Sequence, residues 1–349
     1  MHASVWWIGI AAAAAAAALL PARYMTSMPG RSYRGPAPPA GDEERILRAG
    51  LEAHVRALAG EIGERNVYRY EALQAAAEYI RRALTEYGYE VHEQVFAAGR
   101  WRVENLEAVL PGDGESAESV VIGAHYDTAV GSPGADDNAS GVAALLELAR
   151  TARMKPARRT RRFVAFVNEE PPFFMTGAMG SRVYALRARA RKEPIAAMLS
   201  LEAIGYFSDA PGSQKYPFPV NFFYPKTGDF IGFVGNLSSR SLVRRVTGIF
   251  REHGRLPSEG IAAPAAIPGI SWSDHRSFWK EGYPGVMVTD TALYRNPHYH
   301  APSDTPDSLD YERLARVVAG LDAVLDDLAS VTGVATSKPA SGGPVRSTA

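Results

Sequence analysis

The stretch from Gly123 to Gly141, GAHYDTAVGSPGADDNASG, sets His125, Asp127, Asp136 and Asp137 among small and apolar residues. Three further segments carry groups of the same kind: Glu169 and Glu170 in NEE, Glu202 in SLEAIGY, and His298 and His300 in YRNPHYHAPSDT. The chain has no cysteine, so disulfides, thiolate zinc sites and cysteine nucleophiles are excluded, and any metal must rest on imidazole and carboxylate. Singly, most of these residues have ordinary explanations. A loop histidine is usually just solvated, and an aspartate ahead of Asn138, Ser140 and Gly141 reads as a helix cap, which applies to Asp136 and Asp137 alike. Glu202 is harder to dismiss. It lies inside an apolar run, where a carboxylate is costly to desolvate unless it is paired or bound to metal. Together the groups fit two zinc ions about 3.5–4 Å apart, bridged by one aspartate, with water between them and a spare carboxylate to shuttle a proton. Nitrogen and oxygen ligands without sulfur suit Mn2+ or Co2+ as well.

Such groups need elements that converge. Strand-like runs lie at Glu90–Phe96, Val103–Leu110, Val120–His125, Phe163–Asn168, Met198–Ala203, Phe230–Val234 and Val286–Thr289. Helical periodicity marks Glu43–Ile62 and Tyr70–Tyr89, and helix-like stretches fall at Gly141–Thr151, Ser181–Arg189, Ser241–His253 and Asp310–Ser330. This alternation predicts an α/β fold, a three-layer αβα sandwich around a mixed, largely parallel β-sheet. In such sheets ligand-binding groups collect beyond the carboxyl ends of the strands, which is where the histidines and carboxylates fall. His125 and Asp127, two residues apart at a strand end, point the same way, so Asp127 can hold the ring N–H that a metal would leave free.

The chain has 349 residues, 46% hydrophobic and 22% charged, with 38 basic and 38 acidic side chains and a formal net charge of +0. That is enough for a large core, and nothing in the balance suggests a nucleic-acid partner. Val5 to Leu20, VWWIGIAAAAAAAALL, has the length of a signal-peptide core and is slightly short for a full membrane span. No Lys or Arg precedes it, whereas Arg23, Arg31 and Arg34 follow. The expectation is export to the periplasm or outside the cell, with residues 1–22 either a cleaved signal or a retained membrane tether. Residues 23–42 are rich in Pro, Gly and Ser and read as a linker, 43–334 as a single catalytic domain, and 335–349 as a disordered tail. Two Asn-x-Ser sequons, at Asn138 and Asn236, are discounted, the first because a glycan there would sit in the site.

The ordered succession GAHYDT, PGADDNASG, NEE, SLEAIGY, SDH and HYHAPSDT resembles the co-catalytic di-zinc aminopeptidases of peptidase clan MH, whose relatives include glutamate carboxypeptidase and the glutaminyl cyclases. The resemblance implies that Asp137 bridges two Zn2+, with His125 and Glu202 completing one site and Glu170 and His300 the other. It implies that Glu169 is the general base and that Asp127 orients His125. His300 rather than His298 opens the family's His-x-x-x-Asp-Thr pattern. Asp274 and His275 of SDH match a motif near the site and are expected to be structural or to line substrate. There are departures. Many secreted members have aspartate where this chain has Glu202, and some place an oxyanion-stabilising tyrosine shortly before SDH, where this chain reads Ile270-Ser271-Trp272. The aromatic loops PPFFMTGAMGS and DAPGSQKYPFPVNFFYP flank the site and are expected either to shape the substrate pocket or to pack over the core.

The activity so implied is removal of N-terminal residues from peptides. Glutaminyl cyclisation with a single zinc, or a carboxypeptidase, would use the same fold. A tethered binding protein that had lost catalysis would show missing ligands or a replaced base, and none is missing here.

Overall fold

The computed structural model describes residues 20–330 apart from 219; the run from Val5, save Leu20, and the tail 335–349 lie outside the described residues. The strands are β1 (Val91–Ala98), β2 (Trp101–Leu110), β3 (Ser119–His125), β4 (Thr160–Phe166), β5 (Ile195–Leu201), β6 (Ile231–Gly235), β7 (Ser258–Ala262) and β8 (Gly285–Thr289). The helices are α1 (Asp42–Val55), α2 (Tyr70–Glu86), α3 (Gly141–Ala152), α4 (Gly180–Ala190), α5 (Arg240–His253), α6 (His275–Lys280) and α7 (Tyr311–Ser330).

All eight strands form one sheet in the order β1-β2-β4-β3-β5-β8-β6-β7. The middle, β4-β3-β5-β8, is parallel, while β1–β2, β2–β4 and β6–β8 pair antiparallel and β6–β7 parallel. β3 is buried along its whole length, which is why its sequence is an unbroken apolar run rather than an alternating one. The two-residue period still operates inside that run. Val120, Ile122 and Ala124 join the larger core, whereas Val121 joins a smaller one on the opposite face. In β4, Phe163 and Ala165 face the larger core while Val164 and Phe166 face the smaller. The larger core takes the apolar sides of α1, α2, α3, α5 and α7, and the smaller is filled by Tyr184 of α4 and Phe278 of α6. The result is the expected three-layer α/β sandwich.

Three details differ from the sequence expectation. The first helix ends at Val55 and continues as a wider π-type turn through Arg56–Ile62, stopped by Gly63 at φ 77°. β7 was unforeseen because SEGIA is short and half polar, and α6 because six residues carry too little periodicity. Among the described residues no helix is long and apolar enough to cross a membrane.

Residues 27–41 have no regular structure, yet they are seated on the domain. Met28 packs against the larger core, Ser32 Oγ accepts a hydrogen bond from Ser258 N at 2.8 Å, and Arg251 Nη1 donates to Pro29 O at 3.2 Å. Two glycines make the seat. A Cβ on Gly260 would lie 2.8 Å from Met28 Cγ, and one on Gly248 2.9 Å from Pro29 Cγ.

Candidate metal centre

Three neighbouring parallel strands end at one place, and each delivers its polar residues there. β3 ends in His125, β4 runs on to Glu169 and Glu170, and β5 to Glu202. The loop before α3 adds Asp137, and the loop before α7 adds His300. Asn168, next to the expected general base Glu169, Ala203, next to Glu202, and His300 itself have positive φ of 61°, 46° and 54°. Strained backbone of this sort persists where the surroundings over-determine it, as at a functional site.

The geometry is that of two clusters sharing one residue, His125–Asp137–Glu202 and Asp137–Glu170–His300, with ligand atoms within 4.8 Å of one another in each. Asp137 turns Oδ1 to His125 Nε2 at 3.2 Å and Oδ2 to His300 Nε2 at 3.1 Å. Glu202 lies 3.4 Å from His125 Nε2, and Glu170 Oε1 3.0 Å from His300 Nε2. The donor chemistry fits a cation in each cluster. His125 Nδ1 lies 3.1 Å from the Asp127 carbonyl, which accepts the ring proton on that side and leaves Nε2, among carboxylate oxygens, to carry a proton or to bind a metal ion. Among the described residues, the buried atoms Asp137 Oδ1 and Glu170 Oε1 have no hydrogen-bond partner. Electron pairs aimed at electron pairs in a buried site call for positive charge between them.

The titration shifts express the same excess of negative charge. Burial pulls His125 down, but Glu202, Asp127 and Asp137 outweigh it and raise the imidazole well above its usual range. For His300 burial is likewise outweighed, by Asp137 and Glu170, and its pKa rises to about 10. Burial lifts Glu170 to about 7, with Asp137 adding to the push. Glu169, buried and close to Glu202, Glu170 and Asp274, is raised well above an ordinary carboxyl.

The supporting residues hold backbone as much as side chain. Asp127 was expected to orient His125 through its carboxylate; that carboxylate is 3.6 Å from Nδ1, and instead accepts from the backbone N–H of Glu169 and of Glu170, both at 3.0 Å. It is the Asp127 carbonyl that meets the ring. Asp304 does for the other loop what Asp127 does for this one, accepting from Asp136 N at 2.9 Å and Asp137 N at 3.2 Å. Neither Asp136 nor Asp137 caps α3; Asp136 accepts from Gly205 N and Asn296 Nδ2. Arg65, fully buried, donates to the carbonyls of Tyr126, Pro133 and Gly134 and so clamps both ends of the loop between β3 and Asp136. Burial lowers its pKa to about 10.

Other expected residues take no place in either cluster. His298 pairs with Ser303 at 2.9 Å, outside both clusters. Asp274 and His275 are fully buried and are not among the residues lining the cavity beside the centre; Asp274 stands near His125 and Glu169, while His275 Nε2 bonds Ile270 O at 2.8 Å and its ring stands edge-on to Trp279. The cavity beside the centre has about 860 Å³ of empty space, its open mouth included, and its lining includes Glu202, Tyr299, Tyr224, Phe233, Ile261 and Met287. Of the two aromatic loops, the one after Glu202 contributes Tyr216, Pro217, Val220 and Tyr224 to this wall. The one after Glu170 does not, and its Phe173 packs against the core beside Trp101. Tyr299 stacks on His300 with ring centroids 3.9 Å apart.

Sequence reading missed Arg65, Asp304, Ser273 and Tyr299. Asp304 stood in the quoted HYHAPSDT, where its spacing from His300 was the available signal. Arg65 gave none.

A three-layer α/β sandwich with paired histidine–carboxylate clusters at its parallel strand ends defines the class. The chain belongs to peptidase family M28, whose family model matches residues 105–324, and it is a hydrolase of peptide bonds. Escherichia coli (strain K12) YfbL, itself uncharacterized, is 40% identical over 285 residues, covering 79% of this chain and 86% of its own length. A probable leucine aminopeptidase 1 of Trichophyton verrucosum is 27% identical over 237 residues, 63% of this chain; the match spans just 57% of that relative. The fold is shared with the aminopeptidase from Aneurinibacillus sp. strain AM-1 (TM-score 0.61, 18% identity, 82% of this chain and 96% of that one). It is shared equally with a glutaminyl cyclase of Bacteroides thetaiotaomicron (TM-score 0.62, 17% identity, 80% and 97%).

Proposed function

We propose that the chain is a two-metal aminopeptidase. The observation that carries this reading is Asp137, which sends one carboxylate oxygen into each cluster while Glu169 has no place in either. In this reading Asp137 bridges two Zn2+, His125 and Glu202 complete one ion's ligands, and Glu170 and His300 the other's. When bound, the ions supply Lewis-acid polarisation of a carbonyl and acidify the attacking water. Glu169 takes a proton from the nucleophile and returns it to the leaving amine, a task suited to a carboxyl whose pKa is raised by burial. Asp127 fixes where Glu169 stands by holding its backbone N–H. The cavity receives the substrate's first side chain, and its aromatic and aliphatic wall favours a bulky apolar one. A catalytic domain counted from residue 43, onto which residues 27–41 are seated, and an exported or tethered location directed by residues 5–20 belong to the same proposal.

The test is hydrolysis of an aminoacyl-nitroanilide panel by the full chain, with zinc, with chelator, and with Glu169→Gln. Chelator-sensitive release, largest for Leu, Met and Phe and lost in the variant, is expected. Cyclisation of N-terminal glutamine without nitroanilide release, by a chain holding one ion, would overturn the reading in favour of a glutaminyl cyclase.

A further inference from the structure

Glu202 differs from the other carboxylates of the centre in how it is held. Its Oε2 accepts a hydrogen bond of 2.7 Å from Ser273 Oγ, and Ser273 Oγ lies 2.8 Å from Ser200 Oγ. Both serines are buried, Ser200 fully. Ser200 stands two residues before Glu202 at the end of β5, so the period of the strand sends both side chains to one side. Ser273 reaches them from the turn ahead of α6. The direction of the chain follows from valence. An ionised carboxylate only accepts, so Ser273 must give Glu202 its single hydroxyl hydrogen, and Ser200 must then donate to Ser273. Both Glu202 oxygens lie 3.4 Å from His125 Nε2, but Oε2 already accepts the Ser273 hydrogen, so Oε1 is the oxygen whose electron pairs no serine takes up. The other half of the centre has no such device: Glu170 Oε1 has no hydrogen-bond partner, and Glu170 is held through its backbone N–H.

We propose that Ser273 is a positioning residue that makes Glu202 a one-oxygen ligand, so that the His125 half of the centre depends on a hydroxyl relay, Ser200 to Ser273 to Glu202, which the His300 half lacks. The inference rests on Glu202 being a ligand at all. It also accounts for the longer side chain at this position, since a glutamate has three side-chain torsions to fix and the relay fixes the last of them. A ligand left to rotate loses affinity for its ion, and loss of a partner of this kind commonly costs roughly 10–100-fold.

The experiment is a stepwise Zn2+ titration of apoprotein by competition with a chromophoric chelator, on the full chain, Ser273→Ala, Ser200→Ala, His300→Ala and Ser273→Ala/His300→Ala, with thermal melting of each apo form. One of two binding steps should weaken about 10–100-fold in Ser273→Ala. Ser200→Ala, where Ser273 keeps its donor role, should weaken the same step by less. The double variant, compared with His300→Ala alone, should show the weakening in its remaining step. Apo melting should fall by the cost of the unmade hydrogen bonds, and the readout that a merely structural serine would not produce is the confinement of the weakening to one binding step. Two unchanged steps or equal weakening of both would overturn the proposal. Failure of the unsubstituted chain to take up any ion would overturn the ligand reading itself, and needs no variant to be recognised.

Discussion

The two halves of the centre share Asp137 and little else. On one side His125 is fully buried at the end of a central strand, its ring anchored through Nδ1 and its carboxylate neighbour fixed by Ser273. On the other, the His300 side chain is 34% exposed, sits on a loop at φ 54°, and is steadied by a stack on Tyr299. A ligand rooted in a sheet inherits the rigidity of the sheet, whereas a ligand on a loop is placed by a few local contacts. The first suits an ion that stays, and the cavity is lined by Glu202 from that side and by Tyr299, the stacking partner of His300, from the other.

Variants can break that comparison or sharpen it. The shared residue comes first: Asp137→Ala should empty both halves and abolish hydrolysis, read as metal per chain by mass spectrometry beside turnover, and retention of either ion would undo the bridging assignment. Glu169→Gln should leave metal content untouched and lower kcat by about 10²–10⁴, the range of a lost general base. The histidines should then part company in stability. His125→Ala leaves Asp137 and Glu202 buried without their cation and should cost about 3–5 kcal/mol in urea unfolding of apoprotein, while His300→Ala should cost under about 1 kcal/mol. Equal costs would mean that exposure does not distinguish the halves.

Acid probes the buried side separately. Burial holds His275 neutral with a pKa of about 4, against about 6.5 in the unfolded chain. Between those values the unfolded state binds the proton and the folded state does not, so stability is full above about pH 6.5 and falls towards pH 4. His275→Gln should flatten the pH dependence of unfolding there by up to about 3 kcal/mol. An unchanged slope would show that the turn behind Ser273 yields to admit the charge.

Much of this was legible in the residues. The strand-end positions of His125, Glu169, Glu170 and Glu202 could be read because buried parallel strands are apolar throughout and stop abruptly at polar groups. Glu202 stood out by cost alone. What could not be read were groups that act through backbone. Arg65 and Asp304 bond carbonyls or amides brought near only by the fold, and a serine such as Ser273 has no periodicity to betray it. Asp127 was the right residue with the wrong atom, since spacing shows that a side chain is near a ring but not which oxygen meets it.

The seat of residues 27–41 has a mechanical meaning. Met28 is fixed in its slot only eight residues beyond Leu20, a reach of at most about 28 Å even for extended chain. For a chain still held in a bilayer by Val5–Leu20, that is a short pivot instead of a long leash. Sideways tumbling would be restricted, and Arg240 and Arg244 of α5, which grip the carbonyls of Tyr24 and Ser27, would ride near the lipid headgroups. The domain would then meet its substrates in one fixed attitude to the membrane.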